Sequence, residues 1–191
     1  MQILVTGGLG YIGSHTTVEL LQKGFDVVIV DDLSNSKLNV FDKIKKITGK
    51  NPKLEIIDLK DKIEVKKLFR DFNFDGIIHF AAHKSVNESV NFPEKYFKNN
   101  IGALENLLEN IDKEMYFIFS SSCTVYGQAD RMPIKENFPI KKSESPYGET
   151  KQICEGILKK FCEANPLFNN ITLRYFNPIG AHKSGMIGEL P

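Results

Sequence analysis

At 191 residues, with 41% hydrophobic and 26% charged residues, the chain has the composition of one ordinary globular α/β domain. Its formal net charge of +1 gives no electrostatic reason to expect nucleic acid or an anionic membrane as a partner. No run approaches the roughly 18 consecutive apolar residues of a membrane span, and Met1 leads straight into an apolar strand without a basic flank, so a cytoplasmic location is expected.

Gln2 to Thr6 reads as a short buried strand, followed by Gly7-Gly8-Leu9-Gly10-Tyr11-Ile12-Gly13. A helical pattern runs on to Gly24, with Ile12, Val18, Leu20 and Leu21 facing inward. Strand, glycine turn and helix open a dinucleotide-binding unit, here spaced G-x-x-G-x-x-G. Gly7 permits the turn, Gly10 lets backbone approach a pyrophosphate, and Gly13 lets the helix pack closely. The helix N-terminus offers N–H groups and partial positive charge to phosphate. A second strand, Phe25 to Val30, ends at Asp31, about 20 residues beyond the glycines, where a carboxylate meets a ribose diol and repels a 2′-phosphate. Asp31-Asp32-Leu33-Ser34-Asn35-Ser36 carries two acids and no arginine, favouring NAD over NADP, with Lys37 as the counter-indication. Asp32 fits a solvated loop better than Asp31 does.

The Lys-rich stretch 37–53 reads as a solvated helix and loop. Leu54 to Asp58 reads as a third strand, followed by a helix from Lys60 to Phe72. Asp58, with Leu59, stands where a carboxylate meets an adenine amino group or caps the next helix. Gly76 to Ala82 is a fourth strand, buried on both faces. Beyond it, Ala81 and Ala82 leave room for a flat cofactor, Lys84 can bond a nicotinamide ribose, and His83 reads as a polar loop residue. Pro93 opens a long helix over 94–111. Met115 to Phe119 is a fifth strand, ending in Ser120-Ser121-Ser122-Cys123-Thr124. A helix over 146–162 and a sixth strand, Ile171 to Tyr175, complete the alternation, which implies a doubly wound parallel sheet of Rossmann type. Cys123, Cys154 and Cys162 lack metal-ligand spacing and read as reduced thiols; no metal site is expected.

Tyr147 and Lys151 lie one turn apart on one helix face. An ammonium within about 4–6 Å favours a phenolate and lowers its pKa, which predicts a general base for an alcohol proton. A hydroxyl from the run Ser120 to Gly127, after strand five, would face this helix and could share a substrate hydroxyl with the phenol.

With Ser122, Tyr147 and Lys151 beyond a Gly7/Gly10/Gly13 turn, the chain resembles the extended short-chain dehydrogenase/reductases. Within them it is similar to the UDP-glucose (UDP-galactose) 4-epimerase family. Asp31 to Asn35, His79 to Val86, Asn99-Asn100, Ser120 to Gly127, Ser145 to Gly148 and Arg174 to His182 carry the resemblance. It spans all 191 residues and implies NAD contacts by Tyr11, Ile12, Asp31 to Ser36, Asp58, Leu59, Phe80 to Lys84, Asn99, Tyr147, Lys151 and Phe176. It implies UDP-sugar contacts by Lys84, Ser122, Tyr147 and Asn177. The implied reaction is epimerisation at C4 through a 4-keto sugar, in a cytoplasmic enzyme that can form a homodimer. Family members are much longer, so residues 1–178 are expected to form the NAD-binding domain and 179–191 the start of a truncated substrate region, with turnover impaired. Another nucleotide-sugar epimerase, a dehydratase and a non-catalytic NAD-binding protein are the alternatives; Cys123-Thr124 stand where a 4,6-dehydratase needs an acid pair.

Overall fold

The structure, a computed structural model, describes residues 1–189. Six strands form one parallel sheet in the order β3-β2-β1-β4-β5-β6. They are β1 Gln2–Thr6, β2 Asp26–Val30, β3 Lys53–Glu55, β4 Gly76–His79, β5 Met115–Ser122 and β6 Phe168–Tyr175. The helices are α1 Tyr11–Gln22, α2 Asn39–Thr48, α3 Lys62–Asp71, α4 Val86–Asn91, α5 Pro93–Tyr96, α6 Gly102–Leu108 and α7 Pro146–Ala164. Val27 to Val30 and Ile77-Ile78 are buried because helices cover both faces of the sheet. One core gathers Val65 and Leu68 of α3, Leu104 and Leu107 of α6 and Leu158 of α7; the other gathers Val18 and Leu21 of α1 with Val40 and Ile44 of α2.

The doubly wound parallel sheet expected from the alternation is present. Strand order reverses at β1, which pairs with β2 on one side and β4 on the other. Connections leave β1 and β4 in opposite directions, so a crevice opens at the carboxyl ends of these two strands.

Several boundaries differ from the sequence reading. β3 covers only Lys53–Glu55, because its partner β2 ends at Val30, opposite Glu55. Asp58 therefore lies beyond the strand. It is not the helix cap either: Asp61 caps α3, accepting from the N–H groups of Ile63 and Glu64 at 2.9 and 3.2 Å. β4 stops at His79, leaving Phe80 to Ala82 in the following loop. β5 runs on past Phe119, since Ser120, Ser121 and Ser122 pair in register with Leu173, Arg174 and Tyr175, and hydroxyl side chains concealed the strand; β6 starts earlier than expected, since Phe168, Asn169 and Asn170 pair with Met115, Tyr116 and Phe117. The expected helix over 94–111 contains a π-turn at Phe97–Ile101, which buries Asn100. A short helix, α4, was not legible, although Ser85 caps it by accepting from Glu88 N–H at 3.2 Å.

Gly7 and Gly13 make the β1–α1 turn possible for different reasons. Gly7 has φ +65°, and a Cβ there would lie 2.8 Å from the Ala81 nitrogen. The small residues at 81 and 82 thus begin beside a backbone contact between the glycine turn and the β4 loop. A Cβ on Gly13 would lie 2.1 Å from the Gly7 carbonyl oxygen, so α1 packs on the turn itself. Beyond β6 the chain folds back: His182 N–H bonds the Ile187 carbonyl at 3.0 Å, and Ile187 is buried in the α1 core. Gly13→Ala is expected to lower stability by about 1–3 kcal/mol, the usual cost of overpacking, because its neighbour is backbone and cannot swing away. Urea unfolding against wild type measures it.

Candidate active site at the carboxyl ends of β1, β4 and β5

The glycine turn fits an anionic ligand. Gly7 N–H bonds the Val30 carbonyl at 2.7 Å, Gly10 N–H the Gly7 carbonyl at 3.0 Å, and Leu9 N–H the Asp31 carboxylate at 2.9 Å. The N–H groups of Tyr11, Ile12 and Gly13 make no hydrogen bond among the described residues, and no acidic side chain occupies the first turn of α1. Three donors and the positive end of a helix dipole are therefore directed at the crevice. A Cβ on Gly10 would meet only the Gly7 carbonyl oxygen, at 3.2 Å, so the approach from the crevice is open there. This donor set suits the pyrophosphate of a dinucleotide.

Asp31 is 7% exposed at the end of β2. Its carboxylate accepts from Leu9 N–H, Leu33 N–H at 3.0 Å and the Ser36 hydroxyl at 2.6 Å. The acid expected to meet a ribose also fastens the glycine turn to the β2 loop. Asp32 is exposed and accepts from Ser34; Asn35 is exposed on the same loop. Asp58 turns back on Lys60, accepting from its N–H and pairing with its Nζ at 2.9 Å, while Leu59 is buried. Lys60 also donates to the Asn99 side chain at 3.1 Å. Asp58, Lys60 and Asn99 thus form one polar edge.

Tyr147 and Lys151 come from α7, capped by the Ser145 hydroxyl, which accepts from Gly148 N–H at 3.1 Å. The Lys151 ammonium is buried, donates to the Ser120 carbonyl at 2.8 Å and lies 4.8 Å from the Phe119 ring centroid. It is 5.9 Å from the Tyr147 ring centroid. Burial brings Lys151 down to about 8. The phenol does not follow the expectation of a lysine-lowered pKa: burial raises Tyr147 above its ordinary value, Ser122 opposes this, and Cys123 adds to it. Desolvation of both groups outweighs their mutual effect. Ser122 joins them as expected, its Oγ accepting from Thr124 N–H and hydroxyl at 3.3 and 3.0 Å.

Not every expected contact gathers here. Lys84 pairs with Glu189 at 3.1 Å on the surface. Phe176 and Asn177 are exposed just past β6. His83 is held by backbone, its N–H and carbonyl bonded to the Asn100 side chain at 2.9 and 3.1 Å. Asn100, in turn, donates to Thr150 of α7 at 3.1 Å, a tie that sequence reading missed because a π-turn leaves no periodic signature. Glu155 and Arg174 were missed as well, though Glu155 stands one helical turn after Lys151. No group of three or more potential metal ligands occurs among the described residues.

A family model described as GDP-mannose 4,6-dehydratase matches residues 4–189. The chain belongs to this family. A UDP-glucose 4-epimerase of Dictyostelium discoideum is 47% identical over 192 aligned residues, covering 100% of this chain and 56% of the relative. Among solved structures, a UDP-glucose 4-epimerase from Stenotrophomonas maltophila with bound NAD and formylated UDP-arabinopyranose superposes with a TM-score of 0.95 at 44% identity, covering 100% of this chain and 57% of that one. The epimerase from Bifidobacterium longum, in complex with NAD+ and UDP, also gives 0.95, at 42% identity over 99% of this chain and 57% of that one. The resemblance to extended short-chain dehydrogenase/reductases of the epimerase type therefore holds along the chain, which spans just over half the length of these relatives.

His79 lies under the site at the end of β4, buried, with Nδ1 2.7 Å from the Thr6 hydroxyl. Burial, then the Lys151 charge, lowers it to about 3. The unfolded chain takes up this proton below about 6.5 while the folded chain does not, so its contribution to stability is lost as pH falls toward 3. Between pH 7 and pH 5 the loss is about 2 kcal/mol. Urea midpoints at both pH values should show that decrement in wild type and lack it in His79→Leu.

Proposed function

We propose that this chain binds NAD in the crevice at the β1/β4 reversal and carries the oxidoreductive centre of a nucleotide-sugar 4-epimerase acting on a UDP-hexose, UDP-glucose or UDP-galactose. The observation that carries the reading is the meeting of Ser122, Tyr147 and Lys151 at the carboxyl end of β5, beside a glycine turn with free N–H donors. NAD and UDP-sugar derivatives in the solved relatives support it.

The N–H groups of Tyr11, Ile12 and Gly13 would receive the pyrophosphate, with Asp31 and the Leu33 to Ser36 loop next to the adenosine ribose. Leu59 and Asp58 would flank the adenine, and Phe80, Lys84, Asn99 and Phe176 the rest of the cofactor. When bound, NAD supplies the hydride acceptor, the returning hydride and a positive ring charge that favours the Tyr147 phenolate. Tyr147 Oη takes the proton from the sugar 4-hydroxyl and returns it after the keto sugar has turned over. Ser122 orients that hydroxyl. Lys151, anchored on the Ser120 carbonyl, presents positive charge to the phenol and a donor to a ribose. Asn177 and Lys84 would serve the sugar end, Lys84 by giving up its surface pair with Glu189. A cytoplasmic setting and a homodimer accompany this proposal.

The second half of the relatives has no counterpart in this chain. Remote substrate contacts position the reacting sugar, so in these 191 residues taken alone turnover should suffer more than cofactor binding. Isothermal titration with NAD and a coupled epimerase assay on the 191 residues test both parts. Expected are saturable NAD binding and turnover far below that of a full-length relative; failure to bind NAD overturns the proposal. Tyr147→Phe should remove any remaining turnover and leave NAD affinity nearly unchanged. Gly10→Ala should weaken NAD binding, since its added methyl would lie 3.2 Å from the Gly7 carbonyl oxygen, in the turn that carries the N–H cradle.

The electrostatics give a third check. Without added NAD, Tyr147 should titrate above the ordinary tyrosine value, because burial dominates its surroundings. Saturating NAD should lower that midpoint. The phenolate ultraviolet band, taken as the difference between wild type and Tyr147→Phe, reports both values.

A further inference from the structure

Lys151 is the one lysine or arginine in the buried class among the described residues, at 4% exposure. Its ammonium contacts no carboxylate: Nζ donates to the Ser120 carbonyl and lies over the Phe119 ring. A buried cation without a counter-charge is costly. One helical turn further along α7, on the same face, stands Glu155. Its Oε1 accepts from the Ser121 hydroxyl at 2.6 Å. The ammonium and the carboxylate thus sit on adjacent turns of α7 and bond adjacent residues of β5.

Glu155 is in turn fixed by Arg174 of β6. Arg174 Nε reaches Oε1 at 3.0 Å and Nη2 reaches Oε2 at 2.7 Å. The guanidinium lies 4.8 Å from the Tyr126 ring centroid and donates to the Glu136 carbonyl at 3.2 Å. Side-chain exposures of 21% for Arg174 and 11% for Glu155 make this a largely desolvated pair. Such a pair is weak evidence for stability in itself, since desolvation offsets attraction. Its placement against Lys151 gives it another role.

We propose that Glu155, oriented by Arg174 and Ser121, is the counter-charge of Lys151: a positioning residue that keeps the ammonium protonated beside Tyr147. The groups facing Lys151 are few. From α7 come Tyr147, Cys154 and Glu155, from β4 the neutral His79, and from β5 only a carbonyl and an aromatic ring. Glu155 is the one carboxylate in that set. Cys154 is itself pushed up to about 11 by burial and is neutral at physiological pH. The proposal deepens the oxidoreductive reading of the site and draws its functional meaning from it. Its test requires neither NAD nor turnover, so either can fail alone.

Protein labelled with carbon-13 at lysine Cε is titrated by NMR, and the Lys151 signal is assigned by its absence in Lys151→Met. Wild type should titrate near 8. Glu155→Gln keeps an acceptor for Ser121 and removes the charge, so its midpoint should fall. Arg174→Met removes the competing cation, so its midpoint should rise. A merely structural pair would behave otherwise: loosening by either change would admit water and move both midpoints upward. Arg174→Met with and without Glu155→Gln isolates the carboxylate and leaves no unpaired guanidinium, which covers the case where Glu155→Gln alone does not fold. The double variant should titrate below Arg174→Met. Equal midpoints in that pair, or shifts of the same sign in the two single variants, overturn the proposal.

Discussion

The arrangement depends on one buried ammonium. Lys151 joins α7 to β5 through the Ser120 carbonyl, and Ser122, two residues further along β5, is thereby set against Tyr147 on α7. Holding that charge in the interior is unfavourable in the free chain: a fall from 10.5 to about 8 corresponds to about 3 kcal/mol at neutral pH. Stability from this group rises with pH above 8, because the unfolded chain then binds more protons than the folded one. A lysine free to reach solvent would avoid the cost. The fold retains it beside the Tyr147 phenol, in a low dielectric.

Two backbone constraints place the opposite wall of the crevice. Gly7 lets the β1–α1 turn touch the backbone of Ala81, and Gly13 lets α1 lie on that turn. Between them the N–H groups of Tyr11 to Gly13 are left without partners among the described residues. The Asp31 carboxylate fastens the turn to the β2 loop from below, by way of Leu9, Leu33 and Ser36. Asn100 fastens the β4 loop to α7 through His83 and Thr150. The cradle and the acid–base group are therefore tied to one rigid sheet by separate polar contacts, so a change in one wall need not displace the other.

What could be read from sequence was what depends on local pattern. Apolar runs gave β1, β2, β4 and the parallel sheet, and spacing gave the glycine turn and the Tyr147–Lys151 face. What could not be read depends on partners distant in sequence. β3 is cut short by the length of β2, and the serines of β5 are strand because β6 lies beside them. The phenol shift was misjudged for a related reason: helical spacing reveals that Lys151 is near Tyr147 but not that both are desolvated. Glu155 lacked meaning until Arg174, nineteen residues later, was seen to hold it. Asp58 was assigned a role as ligand or cap, but the cap is Asp61, three residues on.

The family is described by a dehydratase, while the relatives set out above are epimerases, and both reactions begin by oxidising a hydroxyl. They diverge at the next step, where elimination needs an acid beside the sugar. Next to Ser122 stand Cys123 and Thr124, neither of them a carboxylic acid, and Thr124 is committed: its N–H and hydroxyl both donate to Ser122. Tyr147 is the one of Ser122, Cys123, Thr124 and Tyr147 whose ring lies near the buried ammonium, 5.9 Å from Lys151 Nζ, and burial rather than that charge dominates its phenol. A site so equipped can remove a proton and give the same proton back. The side chains around Ser122 form one connected hydroxyl group beside the phenol, with no carboxylate among Ser122, Cys123, Thr124 and Tyr147.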